Sequence, residues 1–418
     1  MKRTTPPTIG YTVSTNLTHL KPSETISINQ ETQRRKAAGE DVIDLSAGEP
    51  DFDTPKPAAE GGIRAIQQGK THYPPNAGIL DLRAAAARQL SMLSAGRPVN
   101  ADAIVVSTGA KQSLFNACFT LFGHGDRVLI PSPAWVSYPQ IIHLARATPV
   151  MVTGDVEWSL KVGVQALDAA TDQLTKGIIL CTPMNPTGAV YTRAELKAIA
   201  EWAHERKLWV ISDEIYRRIH YGTGPAPSML DLPDELLART VIITGVSKTY
   251  AMTGWRIGLT LAPLPIAKAI AALQTHVTSG ASGPSQWAAA AALTDEKVEA
   301  DVRNMVEAFR RRRDLVVSTF RTRLPGVEFV EPVGAFYFFF RVDSYFSGDF
   351  DTGAKWCERL MAEEGVAVVP GDAFGDARWV RLSYAASERD LQRALDRIAT
   401  FAGKLEATDK TVGRKAGR

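Results

Sequence analysis

From about residue 100 to 262 the chain alternates short apolar runs with stretches of helical period. The runs are Ala103–Ser107, Arg127–Ile130, Ile178–Thr182, Leu208–Ser212, Val241–Thr244 and Ile257–Ala262. Several are β-branched and apolar at successive positions, as strands buried on both faces require. Between the third and fourth runs, Thr192-Arg193-Ala194-Glu195 is a capping box that opens a helix. This alternation predicts an α/β domain with a mainly parallel sheet. Residues 1–40 read as an arm plus one helix. The turn-rich stretch Leu45 to Pro55 reads as a hinge entering the main domain. Val302, Met305, Val306, Phe309, Val316 and Phe320 recur at helical spacing and predict one long helix. The run Arg310 to Arg313 on it reads as a solvated face. Gly334–Arg341, Val366–Val369 and Trp379–Leu382 read as short strands of a second, smaller α+β domain.

Length changes this picture little: 418 residues with 45% hydrophobic content suit two domains, or one large domain with a satellite. The formal net charge is +3. From Gly403 onward five cations oppose two anions, so the tail carries the whole excess and the body is neutral. Such a tail reads as a frayed, dispensable terminus, not a nucleic-acid site. Cys118, Cys181 and Cys357 are too scattered for a disulfide framework or a metal site. The first residues lack the apolar core of a signal peptide, and no apolar run is long enough to span a bilayer. The expectation is a cytoplasmic protein without nucleic-acid or membrane partners.

Open α/β sheets bind ligands just beyond the carboxyl ends of their strands. After Ile178–Thr182 comes Pro183-Met184-Asn185-Pro186-Thr187-Gly188. After Leu208–Ser212 comes Asp213-Glu214-Ile215-Tyr216. After Val241–Thr244 comes Gly245-Val246-Ser247-Lys248. Three strand ends thus send an amide, a carboxylate with a phenol, and a lysine toward one edge. A helix opens at Gly109-Ala110-Lys111-Gln112, where glycine lets backbone N–H groups approach an anion.

In order and spacing these residues resemble the fold type I pyridoxal-phosphate aminotransferases of class I, from about Lys21 to Leu391. Residues 247–258 (SKTYAMTGWRIG) are similar to the family's cofactor-lysine signature, and 182–190 (TPMNPTGAV) and 212–216 (SDEIY) to its other two motifs. Residues 46–55, 111–116 (KQSLFN), 135–138 (WVSY) and 380–385 (VRLSYA) resemble the prokaryotic Ib subgroup of aspartate aminotransferases. The resemblance implies the PLP-transferase fold: a large domain with a seven-stranded sheet over 54–300, and a small α+β domain from 1–53 and 301–418. It implies pyridoxal 5'-phosphate on Lys248 as a Schiff base, with Asp213 pairing the pyridine nitrogen and Tyr216 and Asn185 donating to the ring oxygen. Trp135 would stack on the ring. Arg256 and the amides of Gly109 and Ala110, beside Lys111, would hold the phosphate, with Tyr73 reaching it from the neighbouring subunit of a homodimer with shared active sites. Arg381, helped by the Gly48 amide, would grip the substrate α-carboxylate. Lys111 would meet a distal carboxylate, and Lys21 and Thr25 would close over the substrate. Some relatives carry a phosphate-binding serine three residues before the lysine, where this chain has Gly245; Ser247 or a backbone amide is the expected substitute. No metal is implied. The activity implied is transamination between an amino acid and a 2-oxo acid, most simply aspartate or glutamate with 2-oxoglutarate or oxaloacetate, with aromatic acids or prephenate as further substrates. A specialised-pathway aminotransferase or a lyase on the same fold stands as the alternative. The third reading is a cofactor-binding regulator, which would need an added DNA-binding module; about twenty residues precede the resemblance.

Overall fold

The computed structural model describes residues 14–20 and 24–416, with side chains described as far as residue 407. Lys21 lies outside the described residues. Seven strands form the central sheet: β1 (Ile104–Thr108), β2 (Arg127–Ser132), β3 (Thr148–Thr153), β4 (Thr175–Cys181), β5 (Trp209–Asp213), β6 (Thr240–Gly245) and β7 (Ile257–Leu261). Their order is β1-β7-β6-β5-β4-β2-β3. Alternate side chains feed two separate cores. Ile178, Leu180, Val210 and Ile242 pack on one face, and Ile179, Ile211, Val241 and Ile243 on the other. Both faces are therefore covered, which is why these strands read as unbroken apolar runs. β7 is antiparallel to β6 and β1, because the eleven-residue connection between β6 and β7 is too short for the crossover of about a dozen or more residues that parallel pairing needs. Strand β3 was not among the apolar runs. It is an edge strand carrying Pro149 and a half-exposed Met151, so its pattern is neither continuous nor alternating.

A second, antiparallel sheet comprises β8 (Phe329–Val330), β9 (Tyr337–Arg341), β10 (Val369–Pro370) and β11 (Trp379–Ser383), in the order β10-β11-β9-β8. Val366–Ala367 leaves it to pair in parallel with Ile43–Asp44. Phe338 and Phe340 pack against Phe320 on one face of β9, and Phe339 stacks on Trp379 on the other. The helices that position the site are α1 (Glu24–Ala37), α2 (Ala110–Leu121), α3 (Ser137–Leu144), α4 (Arg193–Glu205), α5 (Glu296–Arg323) and α6 (Glu388–Ala416). The Thr192 capping box opens α4.

Two expectations are corrected. The arginine run on α5 is not a solvated face. Arg312 is buried and makes a bidentate pair with Asp51, at 2.7 and 2.9 Å. Arg313 donates to the Pro332 carbonyl, and Arg310 donates to that of Tyr221. Only Arg311 of the four is largely exposed. The cause is non-local: Asp51, Tyr221 and Pro332, from three separate segments, meet this turn of α5. The basic tail, expected to be frayed, is helical as far as Ala416. Lysine, alanine and glutamate propagate a helix that packing has already nucleated. No helix among the described residues is long and apolar enough to cross a membrane.

Candidate active site

The strand ends, the first turn of α2, α3 and β11 enclose one cleft of about 290 Å³. At its floor β5 delivers Asp213, which is buried. Its Oδ2 accepts the Tyr138 hydroxyl at 2.8 Å and its Oδ1 the Ile215 N–H at 3.2 Å. Burial raises the carboxyl to a pKa of about 6, against the pull of these two donors. Lys248 follows β6, and its ammonium donates to the Gly48 carbonyl. Burial lowers its pKa to about 8; Glu49 opposes that shift, while Arg256 and Arg381 add to it. A substantial fraction of this amine is therefore neutral near physiological pH.

At one end the first turn of α2 meets Arg256. Gly109 caps the helix at φ +81°, and Arg256 sits in the left-handed region at φ +56°. A Cβ on Gly109 would stand 2.4 Å from Arg256 Nη2, and one on Gly258 would stand 2.4 Å from the Ala110 nitrogen. Glycine at both positions lets a guanidinium and the unpaired amides of a helix N-terminus converge, which makes an anion cradle. A serine at 245 would not fit without movement: its Cβ would stand 2.8 Å from the Ile257 carbonyl. Ser247, buried, lines the cleft instead.

At the other end Arg381 rises from β11, 2% exposed. Its Nη1 donates to Asn185 Oδ1 at 3.0 Å and its Nη2 to the Ser46 carbonyl at 2.8 Å. The guanidinium lies 4.4 Å from the Tyr337 ring centroid, and its Nε has no hydrogen-bond partner among the described residues. Tyr216 and Tyr337 share a 2.8 Å hydroxyl contact beneath it. Lys111 stands over the Trp135 ring, and burial followed by Arg256 lowers its pKa. Thr25 and Ile26 of α1 border the opening.

The cleft thus brings together Gly48, Thr25, Ala110, Lys111, Trp135, Asn185, Asp213, Tyr216, Ser247, Lys248, Arg256 and Arg381, with Gly109 behind Arg256. Tyr73 is elsewhere, 91% exposed on the surface. Sequence reasoning assigned no role to Tyr138, Tyr337 or the Ser46 carbonyl. Tyr138 had a signal, since it lies in the quoted 135–138 motif. Tyr337 had none, because a ring in an aromatic strand reads as core. Residues 40–398 match the family model for aminotransferases of class I and II. The chain belongs to that family. The aminotransferase is 42% identical to the bifunctional aspartate aminotransferase and glutamate/aspartate-prephenate aminotransferase of Petunia hybrida, over 93% of this chain and 82% of that protein. It is 41% identical to a probable aspartate/prephenate aminotransferase of Aquifex aeolicus, over 92% and 97%. The solved aspartate aminotransferase of Thermus thermophilus with maleate superposes with a TM-score of 0.88 at 36% identity, covering 94% of this chain and all of that one. The enzyme accordingly transfers an amino group between an amino acid and a 2-oxo acid.

Proposed function

We propose that the enzyme works with pyridoxal phosphate bound at Lys248, that its preferred substrates are dicarboxylic, and that two subunits share each site. The observation that carries this is one cleft holding a lysine of lowered pKa, a buried carboxyl and an arginine with an unpartnered Nε. Each is costly alone and suits one part of a bound cofactor and its amino-acid substrate. Asp213 suits a cationic ring nitrogen, which would offset its burial. The cradle of Arg256 and the α2 amides suits a phosphate. Arg381 suits a carboxylate.

When bound, pyridoxal phosphate supplies a carbonyl that condenses with amines and a pyridinium that draws electrons from the substrate Cα. The chain supplies the rest. Lys248 Nζ would hold the group covalently and, once displaced by the substrate amine, would take the proton from Cα and deliver it to the carbon of the former cofactor carbonyl. Asp213, held by Tyr138, would keep a proton on the ring nitrogen. Tyr216 and Asn185 would direct donors at the ring oxygen, Trp135 would cover the ring, and Arg381 would orient the α-carboxylate so that the Cα–H bond can face Lys248.

Every amino acid has an α-carboxylate, so Arg381 cannot select among side chains. Lys111 supports a dicarboxylic preference. It is an exposed cation at the cleft's edge in the first turn of a helix, disfavoured there unless an anion is near, and the relatives named above act on aspartate. A lysine is a flexible point charge, so aromatic donors and prephenate, which the Petunia and Aquifex names include, remain accessible to the same pocket. The exposed Tyr73 supports a homodimer in which it reaches the neighbour's phosphate. Three unpaired cysteines fit a reducing cytoplasm. A panel of amino donors tests the substrate reading. Lys111→Ala is expected to lower kcat/KM for aspartate by roughly ten- to a thousandfold and to spare phenylalanine. Equal losses on both donors, or a wild type inert on every dicarboxylate, would contradict the dicarboxylic preference.

A further inference from the structure

Tyr337 is the only residue of the aromatic run 336–340 that carries a hydroxyl. It is 1% exposed, and its hydroxyl has Tyr216 as its only hydrogen-bond partner among the described residues. The approach is close enough that a Cβ on Gly48 would stand 3.2 Å from the Tyr337 oxygen. Two phenols in contact share one bond, so one of them donates. If Tyr216 donated to Tyr337, the Tyr337 proton would be buried without an acceptor, and Tyr216 would have no proton to send into the cleft. If Tyr337 donates, both hydroxyls are used and Tyr216 points its proton at the cleft.

We propose that Tyr337 is a positioning residue: its O–H donates to Tyr216, commits the Tyr216 proton to the ring oxygen of the bound cofactor, and thereby lowers the proton affinity of Lys248 Nζ. A phenol that accepts one hydrogen bond is a stronger donor of the next. The inference rests on the role assigned to Tyr216 above. Other charges also face these groups. Glu49, Arg256, Arg381 and Asp213 act on Lys248, and Arg381 and Cys181 act on Tyr337. Removing one phenolic oxygen from Tyr337 leaves every one of these residues in place.

The test is a spectrophotometric pH titration of the cofactor-loaded enzyme without substrate. The visible band changes when the proton leaves Lys248 Nζ. Wild type, Tyr216→Phe, Tyr337→Phe and the double variant are compared. Tyr337→Phe keeps the ring under Arg381 and is expected to move the midpoint upward by about half a unit to one unit, the size of a single hydrogen bond. Tyr216→Phe should move it further, and the double variant should match Tyr216→Phe alone. A midpoint unmoved in Tyr337→Phe but raised in Tyr216→Phe would overturn this inference and leave the Tyr216 role standing. Additive shifts in the double variant would also overturn it, since Tyr337 would then act by another route. An unmoved midpoint in Tyr216→Phe would overturn the Tyr216 role and this inference with it.

Discussion

At the scale of single residues the cleft stores charge in unfavourable places. Asp213 has a folded-state pKa of about 6 against an ordinary 3.8, raised by burial. Its folded value lies above its unfolded one, so its contribution to stability is greatest below the unfolded value and is lost as pH rises through about 6. A shift of about two units costs about 3 kcal/mol above that range. Asp213→Asn keeps the acceptor for Tyr138 and removes the charge. In thermal unfolding of the cofactor-free protein, its stability advantage over wild type is expected to grow by about 2 kcal/mol between about pH 4 and about pH 8. Parallel pH profiles would show that the carboxyl is not strained. The same residue was legible in the sequence, because a carboxylate directly after an apolar run falls at a strand's carboxyl end. Lys248 and Asn185 were legible for the same reason. Tyr337 was not, since its role depends on a phenol 121 positions away.

At the scale of elements, α5 and the Gly48–Pro55 segment are tied by the Arg312–Asp51 pair, with Arg312 also lying over Phe52. That segment carries the Gly48 carbonyl that receives Lys248, and the Ser46 carbonyl that receives Arg381 lies two residues before it. A surface helix pair would contribute a few tenths of a kcal/mol. This one is bidentate and largely sheltered, so Arg312→Ala should destabilise by about 2 kcal/mol in denaturant titration. The loss should fall well short of that if Arg312 were solvated, as its place in an arginine run suggested. Local pattern showed the helix well: the spacing from Val302 to Phe320 lies inside Glu296–Arg323. It could not show which turn of the helix is covered, because the covering segments come from elsewhere in the chain. Edge strand β3 escaped for a related reason, since only a strand's neighbours decide whether its outer face must be apolar.

At the scale of the whole molecule, the parallel order of β4, β5 and β6 brings the amide, carboxyl and lysine to one edge, and the second sheet closes over them with Arg381. Tyr73 does not line this cleft and is almost fully exposed; in the proposed assembly a second subunit presents it. Mixing two damaged chains tests that. In a hybrid of Lys248→Ala and Tyr73→Ala subunits, one site regains both Lys248 and a partner Tyr73, so activity should rise above that of either variant alone. No gain on mixing would place Tyr73 outside the shared site. The central claim, that Lys248 carries the cofactor in this cleft, is tested most directly by chemical trapping. The loaded enzyme is reduced with borohydride, digested and sequenced by mass spectrometry. A reduced pyridoxal-phosphate adduct on Lys248, absent in Lys248→Ala, is the expected result; an adduct on a different lysine, or none, would contradict the account.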